Sequence, residues 1–290
     1  MKNIFITGAT SGIGLVVACE LAAHGNKVIA TARTLEKGKE LTAHYKTLYP
    51  KGIGTIEIIL CDLSSFECIV NACNQVKTHH THIDVLINNA GIWNFSYRES
   101  KDKIEETLQV NVLAPLLINY LLLDLLIKSK DAKSIFAASA LHQGNVDFEN
   151  LEFKYDFGGF KAYRQSKLEV ILICRLLAKK LQPVNIGVYC EHPGFVNTKL
   201  GRDANWLSNL FFRVMGMPPE KGARTIMYLA EEDKSKLVSG EYYSQQKVKK
   251  ITPQSNDMQV AKKLINALKI YLKNYVLSPS LIFVTENKNT

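Results

Sequence analysis

Short apolar runs alternate with longer amphipathic stretches along most of this chain. Asn3 to Thr7 reads as a strand, followed by glycines and a helical pattern through Leu21. Lys27 to Ala32 is a second strand and precedes a charged helix from about Leu35 to Tyr49. Thr55 to Leu60, a helix near Ser65 to Val76, and the strand Ile83 to Asn88 continue the alternation. A long helix from about Lys103 to Lys128 then leads to the strand Lys133 to Ser139. The helix Phe160 to Leu181 leads in turn to the strand Asn185 to Cys190. These strands are continuous apolar runs, without the polar/apolar alternation of a half-exposed sheet. Strands of that kind are buried on both faces, which predicts a parallel sheet with helices on each side. The fold class is α/β, a doubly wound Rossmann-type sheet.

After Pro193 the pattern loosens. Asp203 to Met217 is short and apolar, and a helix from Pro219 to Ala230, a strand near Gly240 to Ser244 and a helix from Met258 to Tyr275 follow. No linker, repeat or low-complexity stretch divides the chain. The expectation is a single domain over residues 1–275 and a C-terminal tail over 276–290, loose after Ser278.

Composition narrows the function classes. Of 290 residues, 47% are hydrophobic and 22% charged, enough apolar material for a sizeable core. The net charge of +9 suits nucleic acid, an anionic membrane or a phosphorylated cofactor. The lysines are dispersed, with late enrichment at Lys247, Lys249 and Lys250 but no dense block, which argues against nucleic acid. The six cysteines form no CxxC pair and sit largely in apolar segments, as free thiols do in a reducing compartment. Met1-Lys2-Asn3 runs directly into a strand with no signal peptide or anchor. No apolar run reaches the ~20 residues that span a bilayer. Leu113 to Ile127 comes nearest, but Pro115, Asn119 and Asp124 interrupt it. A cytoplasmic protein without an integral membrane segment is expected.

The first strand ends in Thr7-Gly8-Ala9-Thr10-Ser11-Gly12-Ile13-Gly14. Glycines here let backbone N–H groups and the following helix N-terminus approach a pyrophosphate. The spacing G-x-x-x-G-x-G departs from the common dinucleotide fingerprint, and its place between first strand and first helix carries the reading. NAD-binding folds put a carboxylate at the end of the second strand for the ribose 2′-OH. This chain has Ala30-Thr31-Ala32-Arg33, a cation in place of the acid. Arg33 can form charge-assisted bonds to a 2′-phosphate, so NADP(H) is favoured over NAD(H).

Tyr-x-x-x-Lys occurs three times, at Tyr97/Lys101, Tyr163/Lys167 and Tyr243/Lys247. Context separates them. Tyr163 and Lys167 share one face near the start of a long helix, and the strand before that helix ends at Ser139. Ligands of such sheets bind beyond the carboxyl ends of the strands.

Together, Gly8, Gly12 and Gly14, the run Asn88-Asn89-Ala90-Gly91, Ser139, and Tyr163-x-x-Ser166-Lys167 resemble the short-chain dehydrogenase/reductase superfamily. Asp62, Asn111 and Pro193-Gly194 with Thr198 fall in the same order, and the match covers essentially residues 1–275. Ala32-Arg33, the long Ser139-to-Tyr163 interval and His192-Pro193-Gly194 resemble its retinol-dehydrogenase-like branch. The resemblance implies an oxidoreductase in which Tyr163 is general acid for carbonyl reduction and base for alcohol oxidation. Lys167 would lower the phenol's pKa and hold the nicotinamide ribose, Ser139 would bond the substrate oxygen, and Asn111 would hold a proton-relaying water. It further implies cofactor contacts from Gly8, Thr10, Ser11, Gly12, Ile13, Gly14 and Arg33, and from Asp62 and Leu63 on the adenine side. Asn89, Ala90, Gly91, Pro193, Gly194, Val196 and Thr198 complete that set. Ala138-Ser139 stands where the branch commonly has Ser-Ser.

The remaining signals are weaker. Trp93 and Phe95, with Ser139, Leu141, His142, Trp206 and Phe211, suggest a hydrophobic pocket for a lipophilic carbonyl or alcohol, with Trp206 to Met217 as its lid. His79-His80-Thr81-His82 lacks spaced acidic or cysteine partners and reads as a surface loop, so no metal is expected. The last helix carries lysines opposite its apolar stripe, compatible with core packing, a homo-oligomer contact or peripheral membrane docking. A non-catalytic NADP(H)-binding redox sensor or scaffold is the alternative, and it would be expected to show a broken Ser/Tyr/Lys set.

Overall fold

A computed structural model describes residues 1–194, 217–277 and 280–283. The elements up to the fourth strand are β1 (Asn3–Ile6), α1 (Gly12–Ala23), β2 (Lys27–Ala32), α2 (Leu35–Leu48), β3 (Thr55–Leu60), α3 (Phe66–His79) and β4 (Val85–Asn88). Then follow α4 (Glu106–Leu108), a π turn (Gln109–Leu113), α5 (Ala114–Leu121), α6 (Leu123–Ile127), β5 (Lys133–Ala137) and α7 (Gly159–Leu181). Finally come β6 (Gly187–His192), α8 (Pro219–Glu231), β7 (Tyr242–Ser244), β8 (Lys247–Val248) and α9 (Met258–Tyr271). The sheet order is β3-β2-β1-β4-β5-β6-β7-β8, with every pairing parallel except the last.

The apolar runs of the strands feed two cores. Ile4, Ile6, Val28, Ala30, Val85 and Ile87 pack with α1 and α8 on one face. Phe5, Ile29, Ile59, Leu86 and Phe136 pack with α3, α5, α7 and α9 on the other. Successive side chains point to opposite faces, so only an uninterrupted apolar run can bury both. The strand order reverses between β1 and β4, which opens a crevice beyond their carboxyl ends.

The expected helix Lys103–Lys128 is broken into pieces. Ala114 N–H bonds Gln109 O, one residue further back than in an α-helix, and Pro115 has no N–H to give to the Asn111 carbonyl. A second break falls at Leu122. Inside, Asn119 Nδ2 reaches Asn88 Oδ1 at 3.3 Å and Ser134 Oγ reaches Asn119 Oδ1 at 2.6 Å, so buried polar groups of β4, α5 and β5 satisfy one another.

The tail expected to be loose is docked where it is described. Ile282 and Phe283 are buried, Phe283 lies 5.5 Å from the Tyr120 ring, and the Ile282 carbonyl accepts from Lys180 Nζ at 3.0 Å. Apolar residues this late in the chain gain more by covering core than by staying in water. Among the described residues no helix is long and apolar enough to cross a membrane.

Candidate active site

The turn after β1 is held from β4. Asn89 Nδ2 donates to Thr7 O at 3.0 Å and Gly8 O at 3.2 Å, and Ala90 N donates to Thr7 Oγ1 at 3.1 Å. The Asn89 side chain is therefore committed to shaping the turn. Gly8 has φ +69°, and a Cβ on Gly14 would stand 2.2 Å from Gly8 O, so the turn closes only with glycine at both positions. Ser11 caps α1 without a side-chain bond, and the first turn carries no acid. Its amide groups are left for an anion.

A cavity of about 670 Å³ runs from this turn across the crevice. Thr10, Ser11, Gly12, Ile13, Thr31 and Arg33 line one end, with Arg33 exposed at the rim. Asp62 and Leu63 line it after β3. Burial opposes ionisation of Asp62, yet the Lys101 ammonium at 2.8 Å and the Ser64 amide hold its carboxyl below the usual range. Open helix amides and a glycine-shaped floor fit a dinucleotide.

The other end of the cavity holds Ser139, Tyr163 and Lys167. Ser139 follows β5, and its Oγ accepts from Leu141 N at 3.1 Å. Burial pushes the Tyr163 phenol up to about 12, with the nearby Ser139 hydroxyl acting in the opposite direction. Lys167 Nζ donates to Ala137 O at 2.9 Å and lies 5.6 Å from the Tyr163 ring centroid. Burial pushes its ammonium down to about 8, against the pull of Glu191. Gly159 lets α7 begin close to the 94–95 segment, since a Cβ there would stand 2.2 Å from Asn94 O. That approach helps lay Trp93 flat on Tyr163, with centroids 4.7 Å apart and planes 11° from parallel. Phe95 stacks on Trp93 in turn, at 5.4 Å.

Asn111 joins the π turn to its neighbours. Its Oδ1 accepts from Ile92 N at 2.8 Å, and its Nδ2 donates to Ile92 O at 2.9 Å and to Ser166 Oγ at 3.0 Å. The side chain is thus occupied with fixing the Ile92 loop to α7. A Cβ on Gly91 would lie 3.4 Å from both Asn111 Oδ1 and Lys167 Nζ, so these groups share one corner.

Ala90, Gly91, Leu141, Pro193 and Gly194 also line the cavity. His142, expected in the substrate pocket, does not line it. Its Nδ1 bonds Ser139 O at 2.8 Å and its ring packs 5.3 Å from Tyr242, because a buried imidazole next to a free carbonyl satisfies both. Val196, Thr198, Trp206 and Phe211 lie outside the described residues. The other two Tyr/Lys pairs are elsewhere: Lys101 is paired with Asp62, and the Tyr243 hydroxyl accepts from Val238 N. His80 pairs with Glu57 at 3.2 Å and His82 with Asp84 at 3.4 Å. Thr31, Arg98, Glu106 and Glu191 line the cavity without having been expected there. Only Glu191 left a trace in the sequence, as a charge beside the apolar run of its strand.

Known proteins match this arrangement. The sequence model of the short chain dehydrogenase family matches residues 2–206. Human retinol dehydrogenase 14 is 32% identical over 285 residues, covering 91% of this chain and 84% of that protein. Mouse retinol dehydrogenase 13 is 32% identical over 277 residues, covering 91% of this chain and 81% of that protein. A solved structure from Mycobacterium paratuberculosis superposes with a TM-score of 0.76 at 25% identity, covering 94% of each chain. The chain belongs to the short-chain dehydrogenase family, in its retinol-dehydrogenase-like branch, and is a hydride-transferring oxidoreductase that uses a nicotinamide cofactor.

Proposed function

We propose that this protein is an NADP(H)-dependent oxidoreductase of lipophilic carbonyls and alcohols, with Tyr163 as its general acid and base. The observation that carries the reading is the convergence of Ser139, Tyr163 and Lys167 at one end of a cavity whose other end offers Arg33 and uncapped helix amides. Bound there, the nicotinamide supplies or takes up the hydride. The pyrophosphate would rest on the amides at Ser11 to Ile13, the 2′-phosphate on Arg33, and the ribose near Lys167.

The protein's own groups handle the oxygen and its proton. Ser139 and Tyr163, together on the cavity wall, present two hydroxyls to a carbonyl oxygen. In reduction Tyr163 gives its proton to that oxygen; in oxidation its phenolate removes one from the alcohol. A phenol held near 12 by burial is a poor base at neutral pH, so positive charge from Lys167 is what makes the exchange practical. Trp93, with Ile92, Val110 and Leu141, gives the cavity an apolar lining suited to a lipophilic substrate, and the retinol dehydrogenase relatives support that reading.

The test is a panel of lipophilic aldehydes, ketones and alcohols assayed with NADPH/NADP⁺ and with NADH/NAD⁺. Turnover with NADP(H), lost by about a hundredfold or more in Tyr163→Phe, is expected. Arg33→Ala should erode the NADP(H) preference. Native-like turnover in Tyr163→Phe would refute the mechanism, and cofactor binding without turnover on any substrate would favour a sensor.

A further inference from the structure

Glu191 is a charged group in this cavity that the proposed chemistry leaves unused. It stands at the carboxyl end of β6, fully buried, on the cavity wall. Neither carboxyl oxygen meets a hydrogen-bond partner among the described residues. An orphaned carboxyl at that depth is rare in folded proteins and needs a counterpart.

Strand register identifies one. Glu191 is the β6 partner of Ala137, and the Ala138 amide donates to the Glu191 carbonyl at 2.7 Å. The Ala137 carbonyl is the group that holds Lys167 Nζ. Both groups therefore line one cavity beside the Ala137–Glu191 register position; burial drives the Glu191 carboxyl well above its usual range and the Lys167 ammonium below its own, while the charge on each opposes that effect on the other.

The other groups around them come from four elements. Tyr163 stands beside Lys167 on α7, and Cys190 on β6 gives its thiol to the Glu241 carbonyl. His192, also on β6, is held neutral, pushed down to about 4 by burial, His142 and Lys167. Tyr242 on β7 is held neutral, its phenol pushed up by burial, Cys190 and Glu191. His142, in the loop after β5, is bound to the Ser139 carbonyl. Among the described residues no other carboxylate acts on Lys167.

We infer that Glu191 is a positioning residue: its carboxylate keeps the neighbouring Lys167 in the ammonium form that Tyr163 requires. One proton is at stake, lost from the Glu191 carboxyl and carried on Lys167 Nζ, with no change in net charge. A buried acid alone and a buried amine alone would each be neutral. Placed together they titrate as a pair. The inference rests on the oxidoreductase reading only for its link to Tyr163; the pairing rests on the shared cavity wall and the β5–β6 register.

The experiment is a pH profile of NADPH-dependent carbonyl reduction for the native protein, Glu191→Gln and Glu191→Asp. Without the carboxylate, Lys167 loses its proton at lower pH. The alkaline limb of kcat/KM in Glu191→Gln should move down by about one pH unit, with a deficit that grows as pH rises, and Glu191→Asp should recover part of the shift. Infrared spectroscopy gives a readout independent of turnover. Lys167→Met should create the carbonyl band of a buried protonated acid, absent from the native protein at neutral pH and lost again when Glu191→Gln is added. An unshifted profile in folded Glu191→Gln, or a Glu191 acid band already present in the native protein, overturns the inference. A native protein without turnover on any substrate would sink the oxidoreductase reading, while the infrared comparison still decides the pairing.

Discussion

Lys133 and Lys167 are both buried and are tied to opposite ends of the same strand, Lys133 as the first residue of β5 and Lys167 through its bond to Ala137, the last. Burial pushes both ammonium groups down to about 8, with Lys2 adding to the effect on Lys133. Their surroundings differ. Lys133 donates to Leu229 O at 3.1 Å, Ala230 O at 3.4 Å and Glu232 O, closing the carbonyl end of α8. Its three donors are used, and it compensates the negative end of a helix. Lys167 has one protein carbonyl, an open cavity and a carboxyl that does not reach it with a hydrogen bond. A shifted pKa does not by itself mark a functional group. What separates the two lysines is whether the protein has already used their hydrogen-bonding capacity.

The sharpest way to break this contrast is Lys167→Met. Turnover should fall by about a hundredfold or more, while the unfolding free energy falls by about 1 kcal/mol or less, since a single carbonyl loses its donor and Glu191 can take up the proton. A loss of stability matching any loss of activity would erase the distinction. Lys133→Met should do the reverse. Leaving three carbonyls without their donor should cost about 2 kcal/mol in urea unfolding, with kcat/KM within about twofold of native. The smallest effect concerns pH. The folded protein binds the Lys133 proton less tightly than the unfolded chain does, so stability from this group rises as pH climbs from about 8 toward 10.5. The stability gap between the native protein and Lys133→Met should therefore widen between about pH 7.5 and about pH 8.8, by roughly 1 kcal/mol. A constant gap would mean that Lys133 titrates normally.

Much of the framework was legible because it depends on local rules. An apolar run such as Ile4-Phe5-Ile6 can be satisfied only between two helical layers, and it feeds both cores. Gly8 and Gly14 sit where a side chain would collide with backbone, so the turn can be read from composition alone. Ser139, Tyr163 and Lys167 are brought together by helix periodicity and a strand end, both visible in sequence. Relations between distant segments were not legible. Pro115 marks the break at the π turn in the sequence, but that Asn111 there ties Ile92 to α7 is not written in an apolar helical pattern. His142 was expected in the pocket by proximity to Ser139, but the ring turned toward Tyr242 on a strand a hundred residues later. Glu191 acquires a partner only through register between β5 and β6, and register is not written in either strand alone.

The stacking of Trp93 on Tyr163 has an optical consequence. Trp93 and Trp206 are the chain's two tryptophans, and Trp93 lies in face contact with the phenol proposed to exchange the proton. Light absorbed by that indole is re-emitted from the wall of the cavity, and charging the phenol changes the field across its excited state. The chamber therefore carries its own lamp, one whose brightness and colour follow the protonation of the group beneath it.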